Sequence, residues 1–172
     1  MNHPCSTFHL HTRAMKAVWL CLPIVIVSIA TASCAASPET WKTEVACGGQ
    51  GFTVESHCRK SGKPFEANEC VADQSLSNGS HLVRVPEAAP SKGAAPLFAV
   101  AWGCAQARGQ HFLTLSYVSE QGRSDEDELA EAFSLELKSV ADKALLVEIF
   151  RNEDKGAHGR IRSILPDGEV SK

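Results

Sequence analysis

The sequence is poor in aromatic residues and has no excess of positive charge. Aromatic side chains make up 6% of the chain, and only one of them is tyrosine. Lysine and arginine together number 17 against 20 aspartate and glutamate residues, which gives a formal net charge of −3. Proteins that bind nucleic acid usually carry a basic patch and a high isoelectric point. These two absences therefore argue against nucleic acid as a partner.

The sequence also lacks the common motifs of catalysis and cofactor binding. Gly48-Gly49-Gln50-Gly51 is not followed by the Lys-Ser/Thr pair of a phosphate-binding loop, so a turn beside Cys47 is predicted instead. No motif places a nucleophile on a strained elbow, and no cofactor is expected. One acidic run lacks the spacing and the glycine of a calcium loop, so we interpret it as a solvated face, with a partner-binding patch as the alternative. Its residues are Asp125, Glu126, Asp127 and Glu128.

No apolar run reaches the about 20 residues that a membrane-spanning helix needs. The longest uncharged apolar run, residues 17–30, follows Arg13 and Lys16 and precedes a stretch of small residues. This order is typical of a secretory signal peptide. We therefore predict a signal peptide over residues 1–34, with Met15 as an alternative start and a retained anchor helix as the competing interpretation.

Cys34 raises the question of a lipid anchor. Thr31-Ala32-Ser33-Cys34 resembles the cleavage box of bacterial lipoproteins, in which small residues precede a lipidated cysteine, although Thr31 stands where that pattern prefers leucine. Cys34 is the candidate lipidation site, and cleavage after Ala35 or Ala36 without lipid is the alternative. The predicted location is outside the cytoplasm, either periplasmic or anchored to the outer membrane in a bacterial host. A lipid on Cys34 is the only membrane contact that we expect.

Four cysteines remain after removal of the signal peptide: Cys47, Cys58, Cys70 and Cys104. An even number of cysteines in an exported domain predicts two disulfides. Three pairings are possible, and we favour the nested one, Cys58–Cys70 with Cys47–Cys104. Zinc is the alternative, but zinc ligands usually come in pairs two to four residues apart, and these cysteines do not. We therefore expect disulfides and no metal.

Alternating apolar residues predict several strands. Residues 50–58 alternate as a half-buried strand does, and residues 97–106 and 111–118 form the clearest hairpin, with its turn at residues 107–110. Residues 102–117 resemble small exported bacterial proteins of unknown function, a resemblance that implies no activity.

The remaining segments complete the predicted fold. Residues 86–96 hold three prolines and predict a flexible loop within a single disulfide-stabilised domain over residues 37–172. A short helix is expected near residues 125–131, and a final strand pair at residues 145–150 and 160–165. The predicted fold class is mainly β, a small antiparallel sandwich or open barrel of six to eight short strands with at most one short helix. An α+β domain is the alternative.

The candidate catalytic bases of the sequence are two histidines, His57 and His111. A hydrolase would pair His57 or His111 as the base with Ser56, Ser116 or Cys58 as the nucleophile, but surface histidines are the favoured interpretation. We therefore expect an exported binding or inhibitor/immunity-type protein whose partner is a protein of the cell envelope. A small periplasmic hydrolase and a structural lipoprotein are the alternatives.

Overall fold

The computed structural model describes residues 37–87, 95–119, 129–153 and 156–166. Five strands form the first antiparallel sheet: β1 (Glu39–Cys47), β2 (Gln50–Arg59), β3 (Glu69–Cys70), β4 (Gln74–Ser77) and β5 (Leu82–Val85). Four strands form the second: β6 (Leu97–Ala107), β7 (Gln110–Ser119), β8 (Leu129–Ser134) and β9 (His158–Arg160). One helix, α1 (Lys143–Glu153), follows β8. The predicted signal peptide, most of the loop at residues 86–96 and the acidic run at residues 125–128 lie outside the described residues.

The two sheets pack face to face around the main hydrophobic core. The first sheet has the order β1-β2-β4-β5, with β3 pairing with β2, and the second has the order β8-β7-β6-β9. Phe52 and Leu76 from the first sheet meet Leu113 and Phe133 from the second in one buried cluster. The prediction of a mainly β fold with one short helix is confirmed. Of the two predicted architectures, the sandwich and the open barrel, the structure has the sandwich.

Two tight turns connect the long hairpins. Gly48 and Gly49 link β1 to β2 with φ values of 59° and 80°, and Arg108 and Gly109 link β6 to β7 with φ values of 50° and 75°. Two successive residues with positive φ are the hallmark of the hairpin turn whose twist matches that of its strands. The predicted hairpin and the predicted turn beside Cys47 are therefore both confirmed.

The helix covers the outer face of the second sheet, and this corrects the strand predicted at residues 145–150. Asp142 accepts hydrogen bonds from the N–H groups of Ala144 (2.9 Å) and Leu145 (3.3 Å), which satisfies two donors at the start of the helix. Ile149 is buried in a cluster with Phe112 of β7. A short apolar run fits either a strand or a buried helix face, and the packing against the sheet decides for the helix.

Three other sequence predictions were wrong in detail. The described residues hold nine strands rather than six to eight, partly because the two-residue strand β3 escapes detection from sequence. The helix expected near residues 125–131 is not found over residues 129–131, because these begin β8 and pair with β7. The strand expected at residues 160–165 stops at Arg160. Beyond it, Asn68 binds the carbonyl oxygens of Ser163 (2.9 Å) and Leu165 (3.0 Å) in place of a neighbouring strand.

Candidate functional site

The four cysteines form two disulfides, Cys58–Cys70 and Cys47–Cys104. This is the nested pairing favoured from the sequence, and it is confirmed. Cys58 and Cys70 lie opposite each other in the ladder between β2 and β3. Cys47, at the end of β1, reaches Cys104 on β6 and so joins the two sheets. Two disulfides are consistent with an oxidising environment.

The loop closed by Cys58–Cys70 presents an exposed phenylalanine. Phe65 is 90% exposed, the highest exposure among the large hydrophobic side chains that the structure describes as exposed. Its φ of 63° lies in the left-handed region, which is costly for a bulky residue. We call residues 59–69 the Phe65 loop. A single exposed apolar side chain is ordinary on a protein surface. Backbone strain of this kind clusters at functional sites, however, and this combination makes Phe65 a candidate contact residue.

Short-range contacts fix the tip of the Phe65 loop. The Ser61 hydroxyl accepts a hydrogen bond from the Lys63 N–H at 3.2 Å, and it lies 3.3 Å from the carbonyl oxygen of Glu66, on the far side of Phe65. The Lys63 ammonium pairs with the Glu66 carboxylate at 3.1 Å. These contacts span the tip from both sides and so restrain the backbone that carries Phe65.

The base of the Phe65 loop is anchored as firmly as its tip. Arg59 and Glu69 form an ion pair across β2 and β3, beside the disulfide. Asn68 is buried, and its backbone N–H donates to the Ile164 carbonyl oxygen at 2.8 Å, in addition to the two bonds of its side chain. The loop carries three basic and two acidic side chains, whereas the whole chain has a net charge of −3. The Phe65 loop therefore combines an anchored base, an apolar tip and an excess of one positive charge.

A second feature is a cavity of about 440 Å³ beside the Cys47–Cys104 disulfide. Cys104 lines this cavity together with the polar side chains of Gln106, His111 and Asn152. Asn152, near the end of α1, donates a hydrogen bond of 3.0 Å to the carbonyl oxygen of Gln106. The cavity therefore opens where the C-terminal end of the helix meets the end of β6.

His111 also lies against the disulfide itself. One ring nitrogen of His111 and the sulfur atoms of Cys47 and Cys104 all lie within 4.8 Å of one another. Gly48 makes this approach possible, because a Cβ atom there would lie 2.9 Å from the Cβ of His111. The sequence rule that zinc ligands come in pairs two to four residues apart misses this group, because its members lie on three different strands.

The hydrolase candidates do not assemble around either histidine in the described part of the chain. Ser56 is buried, and its hydroxyl oxygen accepts a hydrogen bond of 2.8 Å from Gln74. His57 is half-buried, and its Nδ1 lies 3.1 Å from the hydroxyl of Thr40. Cys58 is held in a disulfide. None of the described residues lining the His111 cavity carries a hydroxyl group.

Two of the predicted sites remain predictions. Cys34 and the acidic run lie in parts of the chain that the structure leaves undescribed. Among the described residues, no helix has both the length and the apolar character required to cross a membrane. Comparison with protein families, curated proteins and solved structures finds no match to this chain.

Proposed function

We propose that this chain is an exported binding protein of the inhibitor or immunity type, which engages a protein of the bacterial envelope through the Phe65 loop. The observation that carries the proposal is the 90% exposure of Phe65 on a loop closed by a disulfide. The apolar run at residues 17–30 supports export, and the two disulfides agree with it.

The restraints on the loop favour tight binding. A flexible loop loses conformational entropy when a partner immobilises it, at about 0.5–1.5 kcal/mol for each ordered side chain. The Ser61 contacts, the Asn68 hydrogen bonds and the disulfide restrain the loop before binding and so lower that cost. Aromatic residues, including phenylalanine, are enriched in the buried cores of protein interfaces, and side chains that fill a pocket there contribute much of the binding energy. Phe65 is therefore the expected anchor of the interface.

The charges around Phe65 indicate the chemistry of the partner. Arg59, Lys60 and Lys63 lie within five residues at the start of the loop. Arg59 pairs with Glu69 and Lys63 with Glu66, so the loop keeps an excess of one positive charge. Opposite charges across an interface speed association and select the correct partner. We therefore propose a partner with an apolar pocket for the phenyl ring and carboxylates around its rim. An enzyme cleft of this kind would be blocked by the loop, which is how the protein would inhibit.

Affinity capture from periplasmic extract tests the proposal. The immobilised protein should retain one enzyme at a ratio of one to one and abolish its activity. Phe65→Ala should weaken the complex about 30-fold or more, since a central aromatic anchor contributes at least about 2 kcal/mol.

Leu82→Ala is the matched control, because Leu82 is also an exposed apolar residue, at 66%, but lies on the edge strand β5. It should leave binding and inhibition unchanged. Recovery of lipid or cell-wall material alone would contradict the proposal and favour a structural lipoprotein. Equal capture by wild type and Phe65→Ala would place the interface elsewhere.

A further inference from the structure

We propose that Cys47, Cys104 and His111 form a binding site for Zn²⁺ or a similar thiophilic cation when the disulfide between the two cysteines is reduced. This inference does not rest on the proposed function, because the Phe65 loop is closed by the other disulfide. Two thiolates and one imidazole are a common ligand set for zinc, with a fourth position filled by water or another side chain.

The geometry of the cluster is close to what the cation needs. A tetrahedral Zn²⁺ with bond lengths of about 2.0–2.3 Å places its sulfur and nitrogen ligands about 3.5–3.8 Å apart. The two sulfurs and a His111 nitrogen already lie within 4.8 Å of one another. In the disulfide the two sulfurs are bonded to each other, so they must move apart after reduction, and rotation of the two cysteine side chains supplies that movement.

The cavity gives the site an entrance and a fourth ligand. Cys104 and His111 both line it, and His111 is exposed, so a thiol or a cation can approach from solvent. Gln106 also lines the cavity, and a water molecule there can complete the coordination. The Cys58–Cys70 pair forms no such cluster with His, Asp or Glu among the residues the structure describes.

The reducing step is ordinary thiol–disulfide exchange. The thiolate of a low-molecular-weight thiol attacks the Cys104 sulfur, displaces the Cys47 thiolate and forms a mixed disulfide with Cys104. A second thiol then attacks the small-molecule sulfur of that mixed disulfide. This step releases the Cys104 thiolate and a disulfide of the two small thiols. Two electrons and two protons pass from the two thiols to the protein. Binding of Zn²⁺ to the two cysteines then releases two protons.

Cobalt titration tests the inference directly. The protein is purified from the producing cells, reduced with a phosphine and titrated with Co²⁺, whose thiolate complexes absorb in the near ultraviolet. We expect one Co²⁺ per chain, an absorption characteristic of two thiolates, and displacement by Zn²⁺. The oxidised protein should give no such absorption. His111→Ala should weaken binding at least tenfold, whereas His81→Ala, at another exposed histidine, should not change it.

The second cysteine pair supplies the control for reduction. The double variant Cys58→Ala/Cys70→Ala should still bind one Co²⁺ after reduction, and Cys47→Ala/Cys104→Ala should bind none. Circular dichroism follows the β structure throughout. If reduction unfolds the chain, Co²⁺ should restore the β-sheet spectrum. A reduced chain that neither binds Co²⁺ nor refolds with it, or binding that survives His111→Ala undiminished, overturns the inference.

Discussion

The hydroxyl of Tyr117 donates a hydrogen bond of 2.7 Å to the carboxylate of Glu131 inside the sandwich. Both residues are buried, and the backbone N–H of Glu87 lies 3.1 Å from each oxygen of the same carboxylate. Burial raises the pKa of Tyr117 above its ordinary value of 10.0, and the negative charge of Glu131 raises it further. The folded protein therefore holds this phenol in its neutral form.

The first prediction concerns alkaline stability. In the unfolded chain Tyr117 loses its proton near pH 10, whereas in the folded chain it keeps it. The free energy of unfolding should therefore fall above about pH 10, by up to about 1.4 kcal/mol per pH unit from this group. Tyr117→Phe should lack this contribution, and near pH 7 it should be about 1–3 kcal/mol less stable because Glu131 loses a donor.

Urea denaturation of both proteins between pH 7 and 11 measures the difference. The difference in unfolding free energy between wild type and Tyr117→Phe should become smaller above pH 10. Tyr117 is the single tyrosine of the chain, so tyrosinate absorbance reports on it alone. That absorbance should rise only as the protein unfolds. A constant gap across the whole range, or ionisation of Tyr117 in the folded protein, would contradict the prediction.

The second prediction concerns Gln74, which bridges the two sheets. Its side-chain oxygen accepts the Ala99 N–H at 2.7 Å, and its amide nitrogen lies 3.2 Å from the Ala99 carbonyl oxygen. The pairing of β9 with β6 ends at Ala101, so Gln74 replaces a neighbouring strand at Ala99. Gln74→Leu should cost about 2–4 kcal/mol in unfolding free energy, since buried backbone groups lose their partners. Gln110→Ala, at an exposed position, should stay within about 0.5 kcal/mol of wild type.

The sequence predicts those parts of this fold that depend on local patterns. Strand β2 and the hairpin of β6 and β7 follow from alternation with period two and from the turn residues between the runs, because both signals lie within a few adjacent residues. Helix α1 was missed because its apolar residues 145–150 suit either kind of element. Its packing against Phe112 is a contact between distant segments, which alternation cannot reveal.

The candidate sites divide in the same way. The formation of two disulfides could be anticipated from four cysteines, but the sequence favours the nested pairing among three connectivities without selecting it. The exposure of Phe65 could not be anticipated, since a phenylalanine within a polar loop can be either buried or exposed and the sequence does not indicate which. The approach of His111 to Cys47 depends on how β1 and β7 lie across the sandwich from each other. The one local indication is that residue 48 is a glycine, with no side chain to block the approach of His111. That indication can be interpreted only once the packing of the two strands is known.

The third prediction ranks the two disulfides by their contribution to stability. The Cys47–Cys104 link spans 57 residues and Cys58–Cys70 spans 12. In the chain-entropy account, a longer loop restricts the unfolded chain more, which gives about 4 kcal/mol for the first link and about 3 kcal/mol for the second. Chemical denaturation of the two double alanine variants should therefore show Cys47→Ala/Cys104→Ala to be the less stable by about 1 kcal/mol. The reverse order would mean that strain or residual structure outweighs loop length.

The fourth prediction separates stability from binding at Phe65. Asparagine tolerates the left-handed backbone better than phenylalanine, and the exposed ring has little packing to lose. Phe65→Asn should therefore change the unfolding free energy by no more than about 0.5 kcal/mol, while weakening capture of the envelope partner at least as much as Phe65→Ala does. Phe52→Ala is the matched control, because Phe52 is buried in the main core and its loss should cost about 3–5 kcal/mol.

Chemical denaturation and binding assays on the same preparations distinguish the two roles. A stable Phe65→Asn variant that no longer binds would show that the ring is held exposed for a partner. If instead the variant were destabilised by more than about 1 kcal/mol, the ring would be packed against the protein in solution. The interface would then have to be sought elsewhere, because a packed ring is not available to enter a partner's pocket.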